Sequence, residues 1–149
     1  MTVPSADMAA LGQLSSAYWA MSDLVEDIAP AELFEPEAVF ELGTLTLEGL
    51  PAIEDFFAGR AESMREQGRT TRHFACNFLV LPDTADQVRV RSNLMVFSAN
   101  GEIPLTADIP SGIADALDTC RRAEDGRWLF HRKAIRSVFV GPGAASFAR

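Results

Sequence analysis

Between residues 8 and 25 the apolar side chains fall at Met8, Leu11, Leu14, Tyr18, Met21 and Val25. Steps of three or four return to one side of a helix each turn, so this spacing predicts an amphipathic α-helix, with Ser5 or Asp7 available as its cap. A short helical turn at PAELF precedes Pro36, and AVFELGTLTLEG reads as two short strands folded about Gly43. Pro51 suits the first turn of a second helix, in which Ile53, Phe56, Phe57, Ala61 and Met64 keep helical spacing until Gly68 stops it. Beyond Gly68 the period shortens to two. Residues 71–81, 87–98, 113–122 and 127–140 form four long strand-like runs, separated by the turn-rich segments PDTAD, ANGEIPLTADIPSG and AEDGR.

Helices first, a hairpin, another helix and then a run of long strands is a segregated order, which predicts an α+β domain spanning residues 1–149. The expected architecture is a cone-shaped α+β barrel, a curved and mostly antiparallel sheet wrapped around helices. Its open mouth is the natural ligand pocket.

A chain of 149 residues buries roughly 70% of the surface exposed by its unfolded form, enough for a core with room for a cavity. The net charge of −8 argues against nucleic acid as a partner, because binding a phosphate backbone draws on clustered Lys and Arg. No apolar run approaches the ~20 residues of a membrane-spanning helix. The opening MTVPSADMAALGQL lacks the basic and apolar regions of a signal peptide, so a cytoplasmic location is expected. Cys76 and Cys120 lie in predicted strands with no second cysteine at two-residue spacing, which fits buried reduced thiols. With two histidines on separate strands, no metal site and no cofactor are expected.

The stretch RTTRHFACNF carries the most informative polar residue. Strand alternation from Thr71 puts His73, Ala75, Asn77 and Leu79 on one face, and Phe74, Cys76, Phe78 and Val80 on the other. An imidazole within an apolar strand is either a proton-transfer group lining a pocket or a structural histidine bonded to a backbone carbonyl. The wholly apolar opposite face suits packing under a helix or against a second copy, so a homodimer is expected.

Asp118 alternates with apolar neighbours in the run 113–122. Desolvation there would raise its pKa into the range of a general acid, unless it pairs with Arg122 or Arg91 across strands. Asp23 falls opposite the apolar stripe of the first helix and would face water unless that helix ends near Ser22. His131, beside Arg132 and Lys133, fits a solvent-facing or structural role. There is no Gly-rich phosphate loop and no nucleophile elbow.

The element order, together with YWAMSDLVEDIAPAELFEPEAVFELG, EGLPAIEDFF, GRTTRHFACNFLV, VRVRSNLMVF and DTCRRAEDGRWLFHRKAI, resembles SnoaL-like proteins of the nuclear-transport-factor-2-like superfamily over roughly residues 14–140. The superfamily holds cyclases, dehydratases, isomerases, epoxide hydrolases and non-catalytic subunits. Resemblance to scytalone dehydratase around RTTRHF implies that His73 is catalytic and Asp23 supports it. Resemblance to polyketide cyclases and ketosteroid isomerase matches their acidic residue to Asp118. Ser22, Ser92 and Leu117 depart from scytalone dehydratase, which has a tyrosine, a second histidine and an asparagine there. A further resemblance, through VRVRSNLMVF and RRAEDGRW, is to the β subunits of ring-hydroxylating dioxygenases.

These readings imply a cofactor-independent enzyme that binds a small, largely apolar and oxygenated molecule, such as a polyketide-like metabolite, and moves a proton by acid-base catalysis. His73 would carry the proton, with Asp23 or Asp118 as complement. Tyr18 and Asn77 would hold a substrate oxygen, and Trp19, Phe34, Phe40, Phe56, Phe57, Leu94 and Val96 would supply walls. The alternative is a non-catalytic binding or structural subunit.

Overall fold

The computed structural model describes residues 2–106 and 109–142. In chain order the elements are α1 (Ser5–Ser22), a 3₁₀ turn (Pro30–Glu32), β1 (Phe34–Leu42), β2 (Leu45–Glu48), α2 (Leu50–Glu66), β3 (Arg69–Pro82), β4 (Gln87–Asn100), β5 (Gly112–Arg122) and β6 (Trp128–Val140). The six strands form one curved sheet in the order β2-β1-β6-β5-β4-β3, with the helices against its inner face, and this is the cone-shaped α+β fold. No described helix is long and apolar enough to cross a membrane.

β3 to β6 pair antiparallel in succession, as their alternating patterns and short turns predict. The pairing of β1 with β6 is parallel, a long-range contact that the periodicity does not reveal. β1 also starts earlier than the predicted hairpin, and Pro36 falls inside it, where the ladder with β6 skips from Phe34 to Val39. A proline lacks the N–H that a regular ladder needs, so it sits where the pairing is broken.

α1 is fixed by Asp7 to the end of β5 and the start of β6. Its carboxylate accepts two hydrogen bonds from the Arg122 guanidinium, at 3.1 and 2.8 Å, and one from Trp128 Nε1 at 3.0 Å. Asp7 is therefore an anchor, and Pro4 occupies the cap position with no side-chain cap bond. Met8 and Val25, the ends of the predicted stripe, are exposed, whereas Leu11, Leu14, Tyr18 and Met21 are buried.

β3 contains the main departure from simple alternation. Its register against β4 shifts between Cys76 and Leu79, and Asn77 adopts a left-handed backbone with φ 57°. The bulge inverts the remainder of the strand. Thr71 faces inward before it, while after it Val80 packs on the core and Leu79 is exposed. Asn77 consequently points out of the cone, where its Nδ2 donates to Asn93 Oδ1 at 2.9 Å, and Asn93 donates in turn to Asp115. The expected substrate contact from Asn77 is thus corrected. Cys120 is buried as expected, but Cys76 is exposed on the outer face with Phe74 and Phe78.

Candidate active site

α1 ends where the site begins. Asp23 follows its last residue with φ −87°, and Leu24 then takes the left-handed conformation at φ 56°. Leu24 N–H bonds the carbonyl of Met21, and Val25 N–H that of Ala20, the double closure that usually carries a glycine at the left-handed position. A leucine there costs about 1–2 kcal/mol. The Asp23 N–H still bonds the Trp19 carbonyl at 2.8 Å, so Asp23 lies one helical turn beyond Trp19, on a face that is buried at Ser15 and Trp19 as well as along the Tyr18 stripe.

From that position Asp23 meets β3. Its Oδ1 accepts the Thr71 hydroxyl at 2.7 Å and lies 2.6 Å from His73 Nδ1, while Oδ2 accepts the His73 backbone N–H at 2.8 Å. Burial works to raise the Asp23 pKa. The bonds from the His73 ring, the Thr71 hydroxyl and the His73 backbone outweigh it and hold the carboxyl below its ordinary value. An ionised Asp23 keeps the shared proton on Nδ1 and leaves Nε2 as a lone-pair acceptor, the form of a general base. Trp19 stacks on the imidazole, with centroids 4.4 Å apart and planes 21° apart, and fixes the ring orientation. The His73 side chain is 12% exposed, so it is sheltered but still reachable.

That residual surface opens into a cavity of ≈ 700 Å³. Tyr18, Trp19, Phe40, Phe56, Phe57 and Leu94, all anticipated from sequence, line it together with His73 and Val96. Phe34 instead packs in the core beneath, its ring 6.1 Å from Tyr18. Tyr18 lies at the centre of an aromatic cluster, edge-on to Trp19 at 4.6 Å, Phe57 at 5.9 Å and Phe130 at 5.8 Å. Such pairs contribute about 0.5–1.5 kcal/mol each beyond their buried area, which makes this wall rigid. Burial pushes the Tyr18 phenol well above its ordinary pKa, so it stays neutral.

Asp118 does not join this constellation. It lies on the inner sheet face in the row Val90–Asp118–Lys133–Phe40, whereas His73 pairs with Val96 further along β4. It does not line the cavity. Its partner is neither Arg91 nor Arg122 but Lys133, whose Nζ donates to Oδ2 at 2.9 Å, with both side chains almost fully buried. Burial drives the Asp118 pKa upward against the opposing Lys133 charge. The ammonium also sits 4.3 Å from the Tyr18 ring centroid and 4.5 Å from that of Phe130. Asp118 is therefore half of a buried ion pair beneath Tyr18 and not a second acid beside His73. Arg122 is committed to Asp7 and Asp86, and His131 bonds Glu35 Oε2 at 2.8 Å.

Three cavity groups went unnoticed in the sequence. Thr71 shares the inward phase of His73, two residues away, and alternation alone would have marked it. Arg60 follows Phe56 and Phe57 by four and three residues, the spacing of one helix face, and donates to the Ser22 carbonyl and to Thr71 Oγ1 at 3.5 Å. Arg69 donates to Ser98 Oγ at 2.9 Å, and Ser98 lies 2.7 Å from Ser111 Oγ. Ser22 lines the cavity, whereas Ser92 is buried elsewhere on the inner face.

No functionally curated protein matches the chain in sequence. Among solved structures, ActVI-ORFA from Streptomyces coelicolor superimposes with a TM-score of 0.77 at 13% identity, covering 93% of this chain and 100% of that one. A candidate scytalone dehydratase from Novosphingobium aromaticivorans gives 0.71 at 20% identity, covering 95% and 96%. A candidate aromatic ring hydroxylase from the same organism gives 0.74 at 20%, covering 99% and 100%. These likenesses share the fold. A family model described as a SnoaL-like domain matches residues 4–134, from the start of α1 into the middle of β6, and the chain belongs to that family.

Proposed function

We propose that this protein is a cofactor-independent enzyme of the lyase or isomerase type, which transfers a proton on an oxygenated, polyketide-like small molecule in a cyclisation, dehydration or isomerisation. One observation carries the reading: His73 is held by Asp23 at 2.6 Å and faces a largely apolar cavity of ≈ 700 Å³. In this mechanism Nε2 removes a proton from carbon beside a carbonyl, and Asp23 stabilises the imidazolium that forms. The apolar walls exclude water and orient the substrate. The same imidazolium then returns the proton to a leaving hydroxyl or to a second carbon. Positioned acid-base catalysis of this kind supplies roughly 10²–10⁴-fold, with the remainder coming from orientation in the cavity.

The direct test is turnover of a panel of polycyclic enones and β-hydroxy ketones by the wild-type chain and His73→Gln. Activity that is present in the first and lost in a folded second supports the proposal, while equal activity in both removes it.

The protein is further proposed to act in the cytoplasm as a homodimer. Phe74, Phe78 and Leu79 are 57%, 42% and 52% exposed on the outer side of β3, a cost that self-association would relieve. The same surface supports the contrasting reading of a non-catalytic subunit. Co-purification with an iron-containing oxygenase subunit, with no turnover by the isolated chain, would favour it.

A further inference from the structure

α2 turns Arg60 toward the same cavity as His73, and the partners of its guanidinium carry no charge. Both are neutral: the Ser22 backbone carbonyl and the Thr71 hydroxyl. Among the described residues Arg60 forms no ion pair, whereas Arg89, Arg122, Arg127 and Arg132 take Asp83, Asp7, Asp125 and Glu41 respectively. The chain has 21 acidic residues against 13 basic ones, so carboxylates are in surplus. Asp55 lines the cavity too, yet stays exposed and unpaired with Arg60. Asp23 is the nearest charged candidate, but its oxygens are occupied by His73 and by Thr71, and the Thr71 hydroxyl stands between it and Arg60.

Removing a cation from water without a counter-charge is costly, and burial lowers the pKa of this guanidinium. Of its five N–H donors two are used, so three (5 − 2) remain without a protein acceptor among the described residues. A planar fork of that kind fits two oxygens of one anionic group.

We infer that the molecule bound in this cavity carries an ionised oxygen, most simply a carboxylate, and that Arg60 holds it beside His73. The inference rests on the reading of the cavity as a ligand site and adds the class of ligand: an apolar, ring-containing acid rather than a neutral ketone or ester. The geometry joins the two roles. Arg60 and His73 both reach the Thr71–Asp23 pair and both line the cavity, so an anion on the guanidinium holds the adjoining carbons in the space that the imidazole faces. Phe40, Phe56 and Leu94 receive the remainder. When His73 takes up a proton Asp23 balances the imidazolium, and Arg60 is left to balance the substrate.

The test compares 2-naphthoate with methyl 2-naphthoate, probes of the same ring system with and without the charge, by fluorescence titration of the full chain near neutral pH. A charged hydrogen-bonded pair corresponds to about tenfold to a hundredfold in affinity, so the acid should bind at least about tenfold more tightly than the ester. Arg60→Gln should abolish that preference while leaving ester affinity within about twofold. Arg60→Lys should keep part of it, and the preference of the wild type should shrink as salt is raised. Those wild-type measurements decide the matter should the glutamine variant fail to fold.

Equal binding of acid and ester overturns the inference but leaves the cavity reading intact. A preference that survives in a folded Arg60→Gln, or that is lost instead in Arg69→Gln, overturns the assignment to Arg60. Failure of either probe and of the whole enone panel to bind would overturn the cavity reading and this inference together.

Discussion

Asp23 holds His73 at two points, 50 residues away in sequence: Oδ1 against the ring nitrogen Nδ1 at 2.6 Å and Oδ2 against the backbone N–H at 2.8 Å. The contact fixes the strand and the imidazole together, so the orientation of the ring does not depend on one rotamer. With the Thr71 hydroxyl also donating to Oδ1, this carboxylate accepts from three donors.

A carboxamide cannot replace it. Turned toward the His73 backbone N–H its NH₂ sets donor against donor, and turned toward Nδ1 and Thr71 it makes Nδ1 the acceptor and moves the ring proton to Nε2, the wrong tautomer for a base. Asp23→Asn is therefore expected to lower kcat by about 10²–10⁴-fold with the fold retained, as is His73→Gln, and the double variant should be no worse than the poorer single one. Steady-state kinetics on a turned-over substrate, with circular dichroism as the control for folding, checks this. Additive losses would show that the two do not act as a unit.

The buried pair below Tyr18 should behave differently. Asp118→Asn strands the Lys133 ammonium and Lys133→Met strands the Asp118 carboxylate, so each is expected to cost about 3–5 kcal/mol in urea unfolding. Replacing both by apolar residues, Asp118→Leu with Lys133→Met, should recover much of that loss. A double variant whose cost equals the sum of the singles would mean that the pair is not coupled.

Asn77 is expected to matter for the bulge and not for catalysis. Glycine accepts φ 57° without penalty, so Asn77→Gly should keep both fold and turnover. A β-branched residue is strained there, and Asn77→Val should lose about 1–2 kcal/mol in thermal unfolding. Loss of turnover in a stable Asn77→Gly would restore the substrate contact first read from the strand pattern.

The Asp7 anchor makes an acid-side prediction. Hydrogen bonds from Arg122, then from Trp128, hold the Asp7 pKa below its ordinary value. A carboxyl with a depressed folded-state pKa contributes stability that is fully present above the unfolded value of about 3.9 and is lost as pH falls through the folded one. Asp7→Asn removes that dependence. Its stability should be lower than that of the wild type at neutral pH, and the difference should narrow below pH of about 4 in urea titrations. A constant gap at every pH would assign the effect to packing alone.

How far the sequence reaches depends on whether a residue is governed by a local period. Alternation groups Thr71, His73 and Ala75 on one face of β3 without saying which face is concave, and the aromatic walls follow from the helical spacing of Tyr18, Phe56 and Phe57. Asp23 was legible only conditionally, because it lies away from the stripe of Leu11, Leu14 and Tyr18 yet one turn beyond Trp19, and the buried face of α1 is wide enough to include both. Asn77 was misread because a bulge is one residue of arithmetic with no compositional mark when an asparagine, and not a glycine, adopts the conformation. For Asp118 the inward phase was right and the partner wrong: Lys133 lies on β6, and only the β5–β6 register brings the two side by side. Arg60 shares a helix face with two phenylalanines, yet its role depends on the carboxylates that do not reach it, which no spacing encodes.

The central position of β6 has a bearing on how the chain is made. β6, the last of these six strands to be synthesised, inserts between β1 and β5, so the first hairpin has no place in the sheet until it arrives. Everything before Trp128 emerges from the ribosome with an unfilled seam through its middle. Contacts of such long sequence separation slow folding, and exposed strand edges invite pairing with other chains. A nascent chain arrested before β6 should thus be sensitive to protease and dependent on chaperones, and release of that one strand should convert it to the protected form.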